Sequence, residues 1–257
     1  MSYRITFGEK VASKVPIRNK TVLEIGSDRN LELANFFHAR GAQVIATNME
    51  AWGTQHDKID VGLDNETGTG SIVTGVADAR RLSQDIGEEK VDVIVGLAIL
   101  EHLYDMPQSL EEIRKTLKPG GCAFLHGNPI WTSSVGHHVW VDSEGRSFRF
   151  NDASMNPFPA WGHLLYDQEE MKDIFLRNGL TEPQADAICH QTYSSDLINR
   201  TSAREFQHAL GRSNFDRVFI ETKCNDMPDA DTEAALIRRA GKDERFEIAE
   251  ISAFLFK

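Results

Sequence analysis

Val22-Leu23-Glu24-Ile25-Gly26 reads as an apolar strand that closes on an acidic residue and then a turn glycine. In a parallel α/β sheet, ligands dock where such strands end. The residues after Gly26 decide what kind of ligand that is. A nicotinamide-type turn needs glycines spaced G-x-G-x-x-G, so that a pyrophosphate can approach the backbone and sit on the next helix N-terminus. Gly26 is followed instead by Ser27-Asp28-Arg29-Asn30-Leu31, and no pyrophosphate site is built. A glutamate two residues before the turn glycine suits a cationic amino-acid end.

Outward from this stretch, residues 20 to 126 alternate short β-branched runs with amphipathic segments, the pattern of βαβ units in a parallel sheet. Strands are predicted at Thr21–Ile25, Gln43–Thr47, Ile72–Val76, Val91–Leu97 and Cys122–His126. Their near-continuous apolar character calls for cover on both sheet faces. Helices are predicted over Leu31–Arg40, stopped by Gly41, and over Ser109–Leu117, with Lys118-Pro119-Gly120-Gly121 as a tight turn after it. Farther on, Asp167 with Glu170 three residues later predicts a capping box on a helix that runs to Asn178. A strand at Ala185–Thr192, helices at Ser202–Leu210 and Asp231–Arg239, an apolar run at Val218–Thr222 and a terminal strand at Phe246–Phe256 follow. With no repeat or linker in view, the chain is read as a single domain over 1–257. Its cofactor-binding half spans about 18–126, an acceptor segment about 127–166, and 167–257 completes the sheet.

Composition narrows the function. The 257 residues are 40% hydrophobic and 26% charged with a formal net charge of −11, which argues against sequence-independent nucleic-acid binding. Apolar runs such as Val93–Leu100 are too short to span a bilayer. Met1-Ser2-Tyr3-Arg4-Ile5-Thr6 lacks the apolar stretch of a signal peptide, so a cytoplasmic protein is expected. Cys122, Cys189 and Cys224 are too scattered for a disulfide framework or a metal motif.

Four stretches stand in order at the expected strand ends: Val22–Asp28, Val76–Leu82, Val91–Leu103 and Leu117–Gly121. Together they resemble the class I S-adenosylmethionine-dependent methyltransferases, of the domain type 11/12 kind, over about the first half of the chain. The resemblance implies a doubly wound, mostly parallel seven-stranded sheet with an acceptor cap inserted after the fifth strand, and S-adenosylmethionine as cofactor. Carried over by position, Gly26 and Ser27 pass close to the cofactor and Glu24 sits beneath its methionine end. Asp78 receives the adenine amino group between Ala77 and Ala79, and Leu97, Ala98 and His102 line the wall beside the methionine moiety. Two positions depart from the pattern. Asp28 and Asn30 replace the second and third glycines, and Asn48, with Glu50 two residues on, stands where a carboxylate usually reads the ribose.

Residues 129 to 166 hold Trp131, Trp140 and Trp161 with His137, His138 and His163, and read as a long functional loop or cap. Methyl transfer from a sulfonium is an in-line displacement, and a hydroxyl acceptor needs a base. His137, His138 and His163 are the candidates, with one of the adjacent pair preferred. No metal is expected: His137, His138 and Asp142 could gather an ion, but neighbouring histidines on an extended segment face opposite ways. Asn128-Pro129-Ile130-Trp131 follows the fifth strand, not the fourth as in the Asn-Pro-Pro-Tyr motif of amino-methyltransferases, which disfavours nucleic-acid bases as substrates.

The leading expectation is O-methylation of a hydroxyl on a small molecule or glycan. Gly136–Trp140 and Pro159–Tyr166 are loosely similar to methyltransferases encoded with surface-polysaccharide genes, so polysaccharide or secondary-metabolite biosynthesis is the expected setting. Methylation of a small amine and a non-catalytic ligand-binding or partner-docking protein on the same fold are the alternatives. Homo-oligomers stay open.

Overall fold

A computed structural model describes residues 2–49, 72–241 and 244–257. In chain order α1 (Tyr3–Lys14), β1 (Thr21–Ile25), α2 (Glu32–His38), β2 (Gln43–Asn48), β3 (Ile72–Val76), α3 (Leu82–Ile86), β4 (Val91–Gly96), α4 (Met106–Thr116) and β5 (Leu117–Gly127) come first. They are followed by β6 (Trp140–Ser143), β7 (Arg146–Arg149), α5 (Gly162–Leu165), α6 (Gln168–Arg177), α7 (Glu182–Cys189), α8 (Ala203–Gly211), β8 (Arg217–Cys224), α9 (Ala230–Ala240) and β9 (Ile248–Phe256). One seven-stranded sheet has the order β3-β2-β1-β4-β5-β9-β8, with β1 parallel to β2 and β4, β2 to β3, and β4 to β5. The order reverses between β1 and β4, the switch point at which doubly wound sheets bind ligands. The fold class is the one the resemblance implied.

The chain gathers into two compact units, Met1–His126 with Ala209–Ile220 and Ser252–Lys257, and Gly127–His208 with Glu221–Ile251. In the first, every residue of β1 is buried. Val22, Val44, Val93 and Phe124 of the sheet meet Phe7 and Val11 of α1 and Leu33, Phe36 and Phe37 of α2. The second has its own core of Val139, Phe148, Phe158, Met171, Phe175 and Ile188. Its β6–β7 hairpin, within the segment read as loop or cap, turns through Glu144 and Gly145, both left-handed at φ 49° and 74°.

Three of the departures from expectation have a clear physical origin. No element was predicted over α1, because only Phe7, Gly8 and Val11 of its 12 residues are buried, too narrow a stripe to show in the sequence. Ala185–Thr192 is not a strand but α7 running into a π-helical turn, His190–Ser194. Thr181 and Gln184 form a capping box there, and Ala185, Ile188, Cys189 and Thr192 are buried at helical spacing. Lys118–Gly121 lies within β5 as a bulge, since Val91 pairs with Leu117 and Val93 with Cys122. The capping box of α6 is present as predicted, with Asp167 and Glu170 each accepting from the other's backbone amide at 2.9 Å.

At the switch point Ile99 packs on two glycines. A Cβ on Gly26, whose φ is +73°, would lie 2.7 Å from Ile99 Cδ1, and one on Gly96 would lie 2.6 Å from Ile99 Cγ2. The chain can therefore leave β1 and β4 side by side only where neither position carries a side chain. Gly96→Ala should destabilise the fold by about 1–3 kcal/mol in urea denaturation. Ile99→Ala in the same chain should recover part of that loss, and strictly additive effects in the double-mutant cycle would contradict this contact.

Candidate cofactor-binding site

Three carboxyl ends converge at this edge of the first unit. Glu24 pairs across β1 with Val95 of β4, and Gly96 pairs with Leu125 of β5. Since alternate residues share a sheet face, Glu24 follows Val22, Leu97 follows Val95 and His126 follows Phe124 onto the face covered by α1 and α2. Glu24 is 1% exposed, and no donor meets either carboxyl oxygen in good hydrogen-bond geometry. Burial pushes its pKa up to about 7, against the lowering effect of the Arg4 charge and the nearby Ala34 amide. An acceptor buried without a donor suits an ammonium group, the part of the cofactor that the resemblance puts there.

The turn after β1 is shaped by side chains where glycines were expected. Gly26 and Ser27 both donate to the Thr47 carbonyl, at 2.8 and 2.9 Å, so the turn is fastened to β2. Asp28 accepts from the amides of Asn30 at 2.7 Å and Glu32 at 3.2 Å, and its Oδ2 lies 3.2 Å from Arg4 Nε. One carboxylate thus satisfies the start of α2 and holds α1. Arg4, which the sequence did not single out, has its neighbours fixed as well: Ser2 donates to Glu32, and Tyr3 Oη lies 2.9 Å from His126 Nε2.

At the end of β2, Asn48 donates through Nδ2 to the Ser27 carbonyl at 3.2 Å and accepts at Oδ1 from the Met49 amide at 2.8 Å. Both ends of its amide are engaged by backbone, and the alternative ribose reader, Glu50, lies outside the described residues. After β3 the amide of Ala77 donates to the Asn48 carbonyl at 3.0 Å. Asp78 caps a 3₁₀ turn, Ala79–Arg81, in which Ala79 is buried. Hydrogen bonds from Arg80 hold the Asp78 carboxyl below the usual range, with Arg80 Nη2 at 2.6 Å from Oδ2. Beyond β4, Leu97 is buried and Ala98 has a left-handed φ of 51°. Ile99 donates to the His126 carbonyl at 2.8 Å, and His102 closes a 3₁₀ turn, Leu100–His102. These candidate cofactor residues all lie at the carboxyl edge of one sheet.

The three cap histidines, which belong to the second unit, differ among themselves. His163 is 3% exposed, and its Nε2 sits 2.7 Å from the Trp131 carbonyl, which can only accept, so Nε2 carries the hydrogen. Burial lowers its pKa to about 4. His137 is 1% exposed, stacked at 4.2 Å on Phe158, and accepts from the Val139 amide at Nδ1; burial pushes its pKa well below the usual value. His138 alone keeps appreciable exposure. It has a left-handed φ of 52° and stacks at 4.6 Å on Phe150, a different ring from the one under its neighbour. Two of the three expected bases are therefore enclosed and neutral, in positions that serve packing.

The pKa of Glu24 makes a prediction with a definite sign. The folded value, about 7, lies above the ordinary 4.5, so between these values the native chain keeps a proton that the unfolded chain has lost. This contribution is most favourable below about 4.5 and falls as pH rises, by about 3 kcal/mol in all. Glu24→Gln, compared with wild type by urea melts at pH about 5 and about 8, should gain relative stability at the higher pH. A difference independent of pH would show that the carboxyl is not held protonated.

Comparison with known proteins agrees with this architecture. A family model described as a methyltransferase domain matches residues 6–185. The fold is similar to that of an S-adenosylmethionine-dependent methyltransferase from Mesorhizobium loti, at 14% identity and a TM-score of 0.50 over 97% of this chain and 96% of that one. It is also similar to the YcgJ protein of Bacillus subtilis, at 13% identity and a TM-score of 0.50 over 99% and 98%. Among curated proteins none matches the sequence. Among the described residues no helix is long and apolar enough to cross a membrane. The family match covers well over half of the chain, including β1 to β5 and the turns at their carboxyl ends, and the chain belongs to the class I S-adenosylmethionine-dependent methyltransferases, with S-adenosylmethionine as its cofactor.

Proposed function

We propose that this methyltransferase acts on a hydroxyl of a small molecule or glycan and that His138 takes the proton. The bound cofactor supplies an electrophilic methyl group on a sulfonium. The chain's own residues then hold the cofactor, orient the acceptor and handle one proton. In this reading Glu24 receives the ammonium of the methionine end, Asp78 accepts from the adenine amine, and Leu97, Ala98 and His102 flank the methionine moiety. Residues 127 to 166 are assigned to the acceptor.

One observation carries the choice of base: among His137, His138 and His163, only His138 is not buried. A base must reach the acceptor proton within hydrogen-bond distance, which an enclosed ring cannot do without displacing its neighbours. Trp140, 54% exposed with the Arg149 guanidinium 4.6 Å from its ring centre, adds a flat accessible surface of the kind a sugar or aromatic acceptor stacks on. Methylation of a small amine remains the second reading, and it needs no base.

Two measurements test this proposal. S-Adenosylhomocysteine should raise the melting temperature of the wild type, and Asp78→Ala should weaken that binding about 10- to 100-fold, the worth of a hydrogen bond to a charged group. An unchanged shift in the variant would remove Asp78 from the site. On a panel of sugar, phenol and amine acceptors, His138→Ala should lower kcat about 100-fold for hydroxyl acceptors and leave the S-adenosylhomocysteine shift intact. Turnover of amines alone would establish the second reading in its place.

A further inference from the structure

We propose that Arg4 receives the carboxylate of the cofactor's methionine end, so that Arg4 and Glu24 together grip its α-amino-acid group from both sides. The inference rests on the reading of Glu24 as the partner of the ammonium, and extends it to a residue in the first turn of α1 that lies outside every motif in the sequence.

Two polar groups of opposite character at this edge have buried atoms that are left unmet. Arg4 Nη1 is buried and meets no acceptor, and both oxygens of Glu24 are buried and meet no donor in good hydrogen-bond geometry, the Ala34 amide being nearby. The two residues are close enough that the Arg4 charge is the largest influence lowering the pKa of Glu24, yet no ion pair joins them. A guanidinium and a carboxyl in one unit that do not close on each other each keep an unfilled hydrogen-bonding requirement. An α-amino acid carries an ammonium and a carboxylate on a single carbon, and would meet both requirements at once. The planar fork of arginine suits a carboxylate, which can accept two parallel N–H bonds.

The surroundings hold Arg4 in place for such a role. Asp28 takes its Nε at 3.2 Å, which leaves the terminal nitrogens of the fork for another acceptor. The two residues before Arg4 are fixed to α2 and β5, through Ser2 to Glu32 and Tyr3 to His126. This gives a reason for Asp28 at a position where the family pattern has glycine: its carboxylate orients the arginine and offsets a positive charge near the sulfonium.

The test compares ligands with and without the amino-acid group by calorimetry. Arg4→Met should weaken S-adenosylhomocysteine about 10- to 100-fold and leave 5′-methylthioadenosine, which has no amino-acid group, within about twofold of wild type. Equal loss for both ligands, or no loss for either, overturns the proposal. Wild type provides a check that needs no folded variant. It should bind S-adenosylhomocysteine at least about tenfold more tightly than the analogue in which hydrogen replaces the carboxylate and the ammonium is kept. Equal affinities overturn the role of Arg4. Glu24→Gln separates the two layers of the argument. If it leaves S-adenosylhomocysteine binding unchanged, the reading of Glu24 fails and the joint grip with it. If it weakens binding while Arg4→Met does not, the arginine's part alone fails.

Discussion

Glu24 sets the terms for the rest of the site. On the face that it shares with the buried Val22 and Val95, the Glu24 carboxyl is taken out of water, and the nearby Arg4 charge does not offset that cost. A residue whose only function was stability would be apolar at this position. The carboxyl is held by an interior strand of the sheet, paired on both sides, and a ligand that brings a cation would be the natural source of its missing partner. The electrostatic strain is present before any ligand arrives, and relief of it would count toward binding.

The turn that follows replaces glycine freedom with side-chain hydrogen bonds. A glycine-rich loop lets a ligand approach bare backbone, but it leaves the next helix start to be satisfied by solvent or ligand. Asp28 satisfies part of that start from within the protein. The result is a more ordered turn with one remaining glycine, Gly26, at the point where the chain must pass under Ile99. Asp78 shows the same economy, since its neighbour Arg80 fixes the carboxylate in one orientation.

The part of the fold legible in the sequence is the part written in continuous apolar runs and capping residues. β1 to β5 and α6 follow directly from them, and the four motif stretches placed the candidate cofactor residues at one sheet edge. What was not legible depends on distant contacts. α1 buries three residues and is otherwise held by partners far along the chain, and its Arg4 carries no local mark of a role. The histidines of the cap are equivalent in sequence, and only packing on Phe158 and Phe150 and the bond to the Trp131 carbonyl separates them. The tryptophans divide likewise: Trp161 is buried with Nε1 donating to the Phe246 carbonyl, while Trp140 faces solvent. Ala185–Thr192 misled because a buried helix turn and a short buried strand share the same apolar composition.

The first turn of α1 has a bearing on how the chain assembles. Its fastenings reach across 30 residues to Glu32 and 123 residues to His126, and the last turn of the same helix is likewise held from afar, with Val11 in the sheet core and the Lys14 ammonium 4.9 Å from the Phe254 ring centre. Contacts so far apart in sequence form only after the intervening chain has closed its loops, and β5 has to be in register with β4 before His126 is in position. Tyr3 and Arg4 therefore reach their final places only once that part of the sheet has formed. Completion of the cofactor edge thus reports that the parallel sheet beneath it is already built.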